Sequence, residues 1–493
     1  MALERDFITP AGAVIQTTAN VVGNTTSVDM FANTARSQTF PSLYLNFVMN
    51  PVLDSRMVFT RTSNATYVAA NGLIAYASAN TPRFEYDPVS GQCRGLLMEE
   101  QRTNLFGNSN NITETTWGGY GSNASGATNL PIGLLPNAGV APDGTNSATF
   151  FYWKGTTWQY QLVVPAQFSN FPTNRTYTES IFIKANTTPA ETSFYMAHYD
   201  STDGGEVLQV FYNPVTNVFT TATGGSNVVF MTPPAMQDYP NGWKRLFFSF
   251  KYTGGVTHDI QFKVALLGST TANSINTQGV YIWGAQLELG PNPTSYIPTP
   301  TAASATRTQD TVSMNISNFK TSAFTLACKY ATVQYTGNTS FDQNYNIAWT
   351  LGTNPPEPGG LYNFIWQRAL THGGVYTSQH YLQYIYNTVP INNSYYAGFG
   401  YPITFNLGFN QPISNATYIT SAVAMQPTSA VYSTGNSSPV SIVPTLLSPN
   451  TNTLWIGGDN GVFGGYSLNG YVATLSIYPR MLSNTELVNI TAL

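Results

Sequence analysis

The chain has 493 residues, of which 9% are charged and 14% aromatic, and its net charge is −4. A disordered chain would be rich in charge and poor in rings, so global disorder is excluded, and the length calls for two or three domains. No run of Lys or Arg supplies the basic stripe that a nucleic-acid partner requires.

The polar surface must instead come from neutral amides and hydroxyls. That composition suits contact with sugars or neighbouring subunits, and equally a durable extracellular β protein. The opening residues Met1 to Asp6 carry acids and no apolar stretch. Neither a signal peptide nor membrane insertion is expected, and assembly in the cytoplasm is. Cys93 and Cys328 lie far apart and make no disulfide or metal-site spacing.

Residues 1–44 are dominated by small and β-branched types, such as Ala13 to Thr18 and Val21 to Thr26. They read as an extended arm, either a mobile tail or an anchor that orders against a neighbouring subunit. Residues 45–105 follow, and here charge is concentrated. Between Asp54 and Asn104, Arg56, Arg61, Arg83, Arg94 and Arg102 balance Asp54, Glu85, Asp87, Glu99 and Glu100. Such a mixture implies paired and bidentate contacts rather than a one-signed face. Asn71-Gly72 between Tyr67-Val68 and Leu73-Ile74 signals a type I′ hairpin. Short hairpins docked beside the next domain are expected, with the arginines tying loops to carboxylates.

Three runs in this stretch carry a resemblance: Arg61 through Ala65-Thr66-Tyr67-Val68 to Asn71-Gly72-Leu73-Ile74; Pro82-Arg83-Phe84 with Tyr86-Asp87-Pro88; and Gly95-Leu96-Leu97 with Glu99 and Gln101-Arg102-Thr103-Asn104-Leu105. Together they resemble a segment recurrent in tailed-bacteriophage virion proteins, where it precedes one or two β-sandwiches of lectin or carbohydrate-binding type. The resemblance implies a structural virion protein of the fibre, spike or decoration kind.

Residues 106–299 alternate with period two, as in Tyr177 to Ala185, Leu208 to Tyr212 and Lys244 to Tyr252. They look like the jelly-roll carbohydrate-binding domain that follows the segment in phage proteins. The Thr/Ala/Pro run Pro298 to Thr306 reads as a linker. Residues 307–493 form the last domain, with Tyr345, Ile347 and Trp349 expected on one strand face. The close of that domain, Leu468 to Leu487, resembles the end of concanavalin-like and laminin-G-like sandwiches. Ser483 and Glu486 spell a helix-starting capping box on their own. Trp243, Trp283 and Trp455 are expected in the cores.

Glycan-cleaving enzymes on such folds need two carboxylates across a cleft. The last domain offers Asp310, Asp342, Glu357, Asp459 and Glu486, none in a Glu-X-Asp-X-Glu pattern. Glu99 and Glu100 are adjacent, which on a strand sends them to opposite faces; ion pairs with Arg102 or Arg94 are expected there. His198, His258, His372 and His380 lack metal-ligand spacing, and no Gly-X-Ser-X-Gly motif occurs. No enzyme, catalytic residue, cofactor or metal is expected.

Sugars are held by stacking on exposed rings and by neutral hydrogen-bonding groups. Trp153, Trp158 and Tyr160 form one candidate set, and Trp366, Gln367, Tyr376, His380 and Tyr381, with His372 and Tyr384 nearby, a second. Sandwich core or subunit interface is the other reading of both. Asp459 reads either as a calcium ligand or as a turn former.

The expectation is therefore an all-β chain: an N-terminal extended arm plus two jelly-roll β-sandwich domains. The function expected is a virion tail fibre or spike-like adhesin, a homotrimer joined to other virion proteins through residues 1–44 and presenting a site for host-surface glycans. The alternative is a capsid or collar decoration protein that stabilises the particle without binding a receptor.

Overall fold

The computed structural model describes residues 3–8, 14–19, 40–123, 133–152, 159–186, 193–254, 257–267, 279–332, 344–351, 361–369, 376–384, 406–407, 418–426, 429–434, 438–442, 452–458 and 468–492. Within them the chain is all-β, with antiparallel pairing throughout and short helices at Glu114–Trp117 and Asn484–Thr491. Among the described residues, Leu3–Ile8 and Val14–Ala19 of the N-terminal arm pair only with each other.

The middle sandwich packs two six-stranded sheets. Alternation sets the inward face: in Gly205–Asn213, Leu208, Val210 and Tyr212 are buried and their neighbours are not. Thr176–Ala185 breaks that rule, because eight consecutive residues are buried. One face, with Tyr177, Ile181 and Ile183, enters the sandwich core. The other presents Phe182, which packs with Trp243, Trp283 and Tyr296 and with Val68 and Ile74 of the preceding segment. A period-two strand is half-exposed only where nothing covers its outer face, and here a hairpin covers it.

That hairpin, Ala65–Val68 with Ile74–Ala77, is the part of residues 45–105 that docks on the middle sandwich. The rest of the segment differs from the expectation, since it completes the last sandwich. Gly470–Tyr478 would otherwise be a bare sheet edge; Cys93–Met98 and Leu43–Asn46 both pair with it. Met57–Thr60 pairs with Thr311–Asn315 at the edge of the facing sheet. Leu43, Phe47, Phe59, Leu96 and Met98 thereby join one core with Leu326, Trp349, Leu454 and Leu475. Each such fully buried side chain contributes about 1.5–3 kcal/mol. Gly95 has φ +110, and a Cβ there would lie 2.3 Å from the Val472 carbonyl oxygen. Only glycine lets the two strands approach so closely.

Four further expectations change in detail. Gly72 takes φ +78 while Asn71 does not enter the positive-φ region. Gly72 N–H bonds to Ala69 O at 2.8 Å, Ala69 N–H bonds to Leu73 O at 2.9 Å, and Leu73 N–H donates to Asn71 Oδ1 at 3.1 Å. This is a three-residue loop closed by a glycine bulge rather than a type I′ turn, because the Asn71 side chain is used on the backbone ahead of it. The run 298–306 is not a free linker: Thr299 is buried, and Asn108 and Ser109 donate backbone bonds to Thr301 and Thr299. A register shift between Ile347 and Trp349 interrupts the pairing of Asn344–Leu351, where Ala348 and Trp349 are both buried. Trp243 and Trp283 are core, whereas Trp455 is half-buried between the inward-facing Leu454 and Ile456.

Helix Asn484–Thr491 starts where its sequence says. The Ser483 hydroxyl accepts from Glu486 N–H, and the Glu486 carboxylate accepts from Ser483 N–H.

Candidate functional site

The two sandwiches meet at a buried cluster of charge assembled by residues 61–99 and 307–310. Arg83 is fully buried. One guanidinium nitrogen donates to Thr66 O at 2.7 Å and Ser295 Oγ at 2.9 Å, and lies 2.8 Å from Glu99. The other donates to Asp310 Oδ2 at 2.5 Å. Arg61 approaches the opposite oxygen of Asp310 at 3.1 Å and donates to the carbonyls of Ser63 and Ser78 at 2.9 and 2.8 Å. Asp310 Oδ2 also accepts Glu99 N–H at 2.9 Å. Each carboxylate thus bridges two elements distant in the chain.

Glu99 is the second bridge. It takes Ser295 N–H and Ser295 Oγ–H, both at 2.7 Å, and lies 2.9 Å from Arg307. The Arg307 contact is one of charge, since its nitrogens do not meet hydrogen-bond geometry with any neighbour. Burial works against an ionised Glu99, yet Arg307, Arg83 and the Ser295 donors together hold its carboxyl down to about 2. Arg307 itself is lowered, first by burial, as is Arg61. Glu100 pairs with Arg102 as expected, whereas Glu99 takes Arg83 and Arg307 in place of Arg102 or Arg94, and Arg94 pairs with Asp87. Adjacent acids therefore do point to different partners.

Above the cluster runs a crevice of about 70 Å³, lined among others by Tyr67, Glu85, Glu99, Tyr239, Arg245 and Tyr471. Glu85 is buried here; burial raises its carboxyl to about 7, offset in part by the Val68 N–H that it accepts at 2.9 Å. Two carboxyls with pKa values pushed apart are a pattern of acid–base sites. The geometry argues otherwise. The donors around Glu99 already occupy its carboxylate, and ligand pockets run from about 300 Å³ upward. The crevice has room for a few waters.

The proposed sugar-binding residues lie elsewhere. Trp153 and Trp158 fall outside the described residues, as do His372 and Asp459. Tyr160 is on Gln159–Phe171, where its backbone pairs with Leu267 and Ser122. Trp366 and Gln367 lie on Leu361–Ala369, and Tyr376, His380 and Tyr381 on the adjacent Tyr376–Tyr384. Pairing sets Trp366 against Gln379, Phe364 against Tyr381, Ile365 against His380 and Ala369 against Tyr376. These five positions share one ladder near an end of the seven-stranded sheet, and Tyr160 is in the other sandwich. The side chains of all six lie outside the described residues.

No protein-family model matches the chain, and no curated protein matches it. Among solved structures, one match is the mouse laminin alpha1 chain, domains LG4-5. It is 10% identical, with a TM-score of 0.18, over 67% of this chain and 88% of that chain. A TM-score this low carries no argument; the sandwich assignment rests on the strand pairing itself.

Sequence reasoning located the charges but not their partners. Asp310 and Ser295 gave no local signal, because a bridge across more than two hundred residues leaves no spacing to read.

Proposed function

We propose that this chain is a structural protein of a tailed-bacteriophage virion, a tail fibre or spike-like adhesin that presents β-sandwiches to host-surface glycans. The observation that carries the reading is where the resembling residues sit. Arg61, Arg83 and Glu99 are all committed to the buried junction, and Gly95 to the close strand approach. In this reading the segment is a structural keystone that locks two sandwiches into one stiff body, as an appendage under mechanical load needs. Its surface works by contact and the protein is not an enzyme. Individual sugar contacts are weak, so several copies, a homotrimer in the simplest case, supply avidity. The N-terminal arm is the attachment to other virion proteins, and the virion is the location.

A second reading, a capsid or collar decoration protein without a receptor, is favoured by the same junction, whose buried ion pairs stiffen the chain without any ligand. The two separate by binding. The full chain is applied to an array of bacterial surface polysaccharides, with release of reducing sugar followed in parallel. Saturable binding without sugar release supports the adhesin. No binding to any envelope glycan favours decoration, and sugar release removes both.

A further inference from the structure

At one end of the middle sandwich, Ser193–Asp200 finishes next to the start of His258–Leu267. Three side chains converge there. His258 Nδ1 lies 2.6 Å from Asp200 Oδ2 and 3.8 Å from Asp203 Oδ2, and one ligand atom from each residue falls within 4.8 Å of the other two. Asp200 and His258 are buried, while Asp203 is part-exposed.

The buried atoms are not spent on each other. Despite the 2.6 Å approach, Asp200 Oδ2 and both ring nitrogens of His258 lack a partner in hydrogen-bond geometry among the described residues. Three donor side chains that converge while buried nitrogen and oxygen atoms among them lack a hydrogen-bond partner are arranged as ligands are. The backbone and a neighbour hold both carboxylates in place. Asp200 Oδ1 accepts N–H from Thr202 at 2.9 Å and from Asp203 at 3.3 Å, and Asn227 Nδ2 donates to Asp203 Oδ2 at 2.6 Å. Outer contacts of this kind orient metal ligands.

We propose that Asp200, Asp203 and His258 form a site for a divalent transition metal, with zinc the best fit. One imidazole and two carboxylates match the nitrogen and oxygen donors of four-coordinate zinc, with water as the fourth ligand. Calcium and magnesium favour all-oxygen shells. Ligands about 2.1 Å from a tetrahedral ion stand about 3.4 Å apart; the 3.8 Å from His258 to Asp203 is near that value, and the 2.6 Å from His258 to Asp200 has to open by about 0.8 Å to admit the ion. The ion's role is structural: it ties the turn after Asp200 to the first residue of His258–Leu267. Spacing along the chain could not reveal the site, because Asp200 and His258 come from two strands that pair side by side but lie far apart in the sequence.

The test uses the full chain, stripped by chelator and then titrated separately with zinc, calcium and magnesium. One zinc per chain should bind and raise the melting temperature, with calcium and magnesium lacking that effect. Asp203→Asn, a change at a part-exposed position, should leave the metal-free melt unchanged and weaken zinc binding by about tenfold or more. Cobalt substitution should give the visible absorption of a tetrahedral nitrogen–oxygen site, lost in the same variant. Absence of stoichiometric zinc binding, or zinc binding that Asp203→Asn leaves intact, overturns the site and leaves a plain His258–Asp200 ion pair.

Discussion

Arg83 and Asp310 are 227 positions apart in the chain, yet their side chains meet at 2.5 Å with neither exposed. Asp310 also holds Arg61 and the backbone of Glu99, so one carboxylate links both strand systems to the preceding segment. A buried pair of this kind adds little over a well-packed apolar substitute, but removing one partner strands a buried charge.

Acid should loosen the junction through Glu99. Its folded pKa is depressed to about 2 from 4.5, so its contribution is complete above about pH 4.5 and is lost as pH falls toward 2. The loss amounts to about 3 kcal/mol. Denaturant unfolding from pH 6 down to pH 2.5 measures it, and Glu99→Gln should remove most of that acid dependence while lowering stability at pH 6.

Glu85 should act with the opposite sign. Its folded pKa is raised from 4.5 to about 7, so the folded state holds the proton longer than the unfolded one. Stability from this group is full below about pH 4.5 and declines as pH rises to about 7. Glu85→Gln keeps an acceptor for Val68 N–H and should gain about 3 kcal/mol at pH 8, with that slope gone. An unchanged pH profile in the variant would contradict the assignment.

Two glycines separate strain from close approach. Gly204 has φ +77 and open space around its missing Cβ, so Gly204→Ala should cost about 1 kcal/mol. At Gly95 the same change adds a collision with Val472 O, and a loss of about 3 kcal/mol or more is expected. Equal melting temperatures for the two variants would mean that the approach of Cys93–Met98 to Gly470–Tyr478 is looser than described.

Local physics made part of this fold legible. The Ser483–Glu486 capping box announced its helix, and period-two runs announced strands of the middle sandwich. What stayed hidden depends on partners remote in sequence. Nothing in Thr176–Ala185 says that a hairpin will cover its outer face, and nothing in Cys93–Met98 says that it will seal a sheet edge hundreds of residues later. The charge-rich segment showed that ion pairs form, and the match of Arg83 to Asp310 could come only from the folded chain.

For the proposed glycan contact, the ladder of Leu361–Ala369 and Tyr376–Tyr384 is the place to cut. Trp366→Ala and Tyr381→Ala should each weaken polysaccharide binding about tenfold without shifting the melt. Tyr160→Ala tests the other sandwich separately. A lowered melting temperature with unchanged binding would mark these rings as core.

The keystone role of the junction is tested most directly by calorimetry of the full chain beside Asp310→Asn. The intact chain should melt in one cooperative transition. The variant should lose about 3–5 kcal/mol and show the two sandwiches separating into distinct transitions. A variant that unfolds in the same single transition at the same temperature would contradict the account.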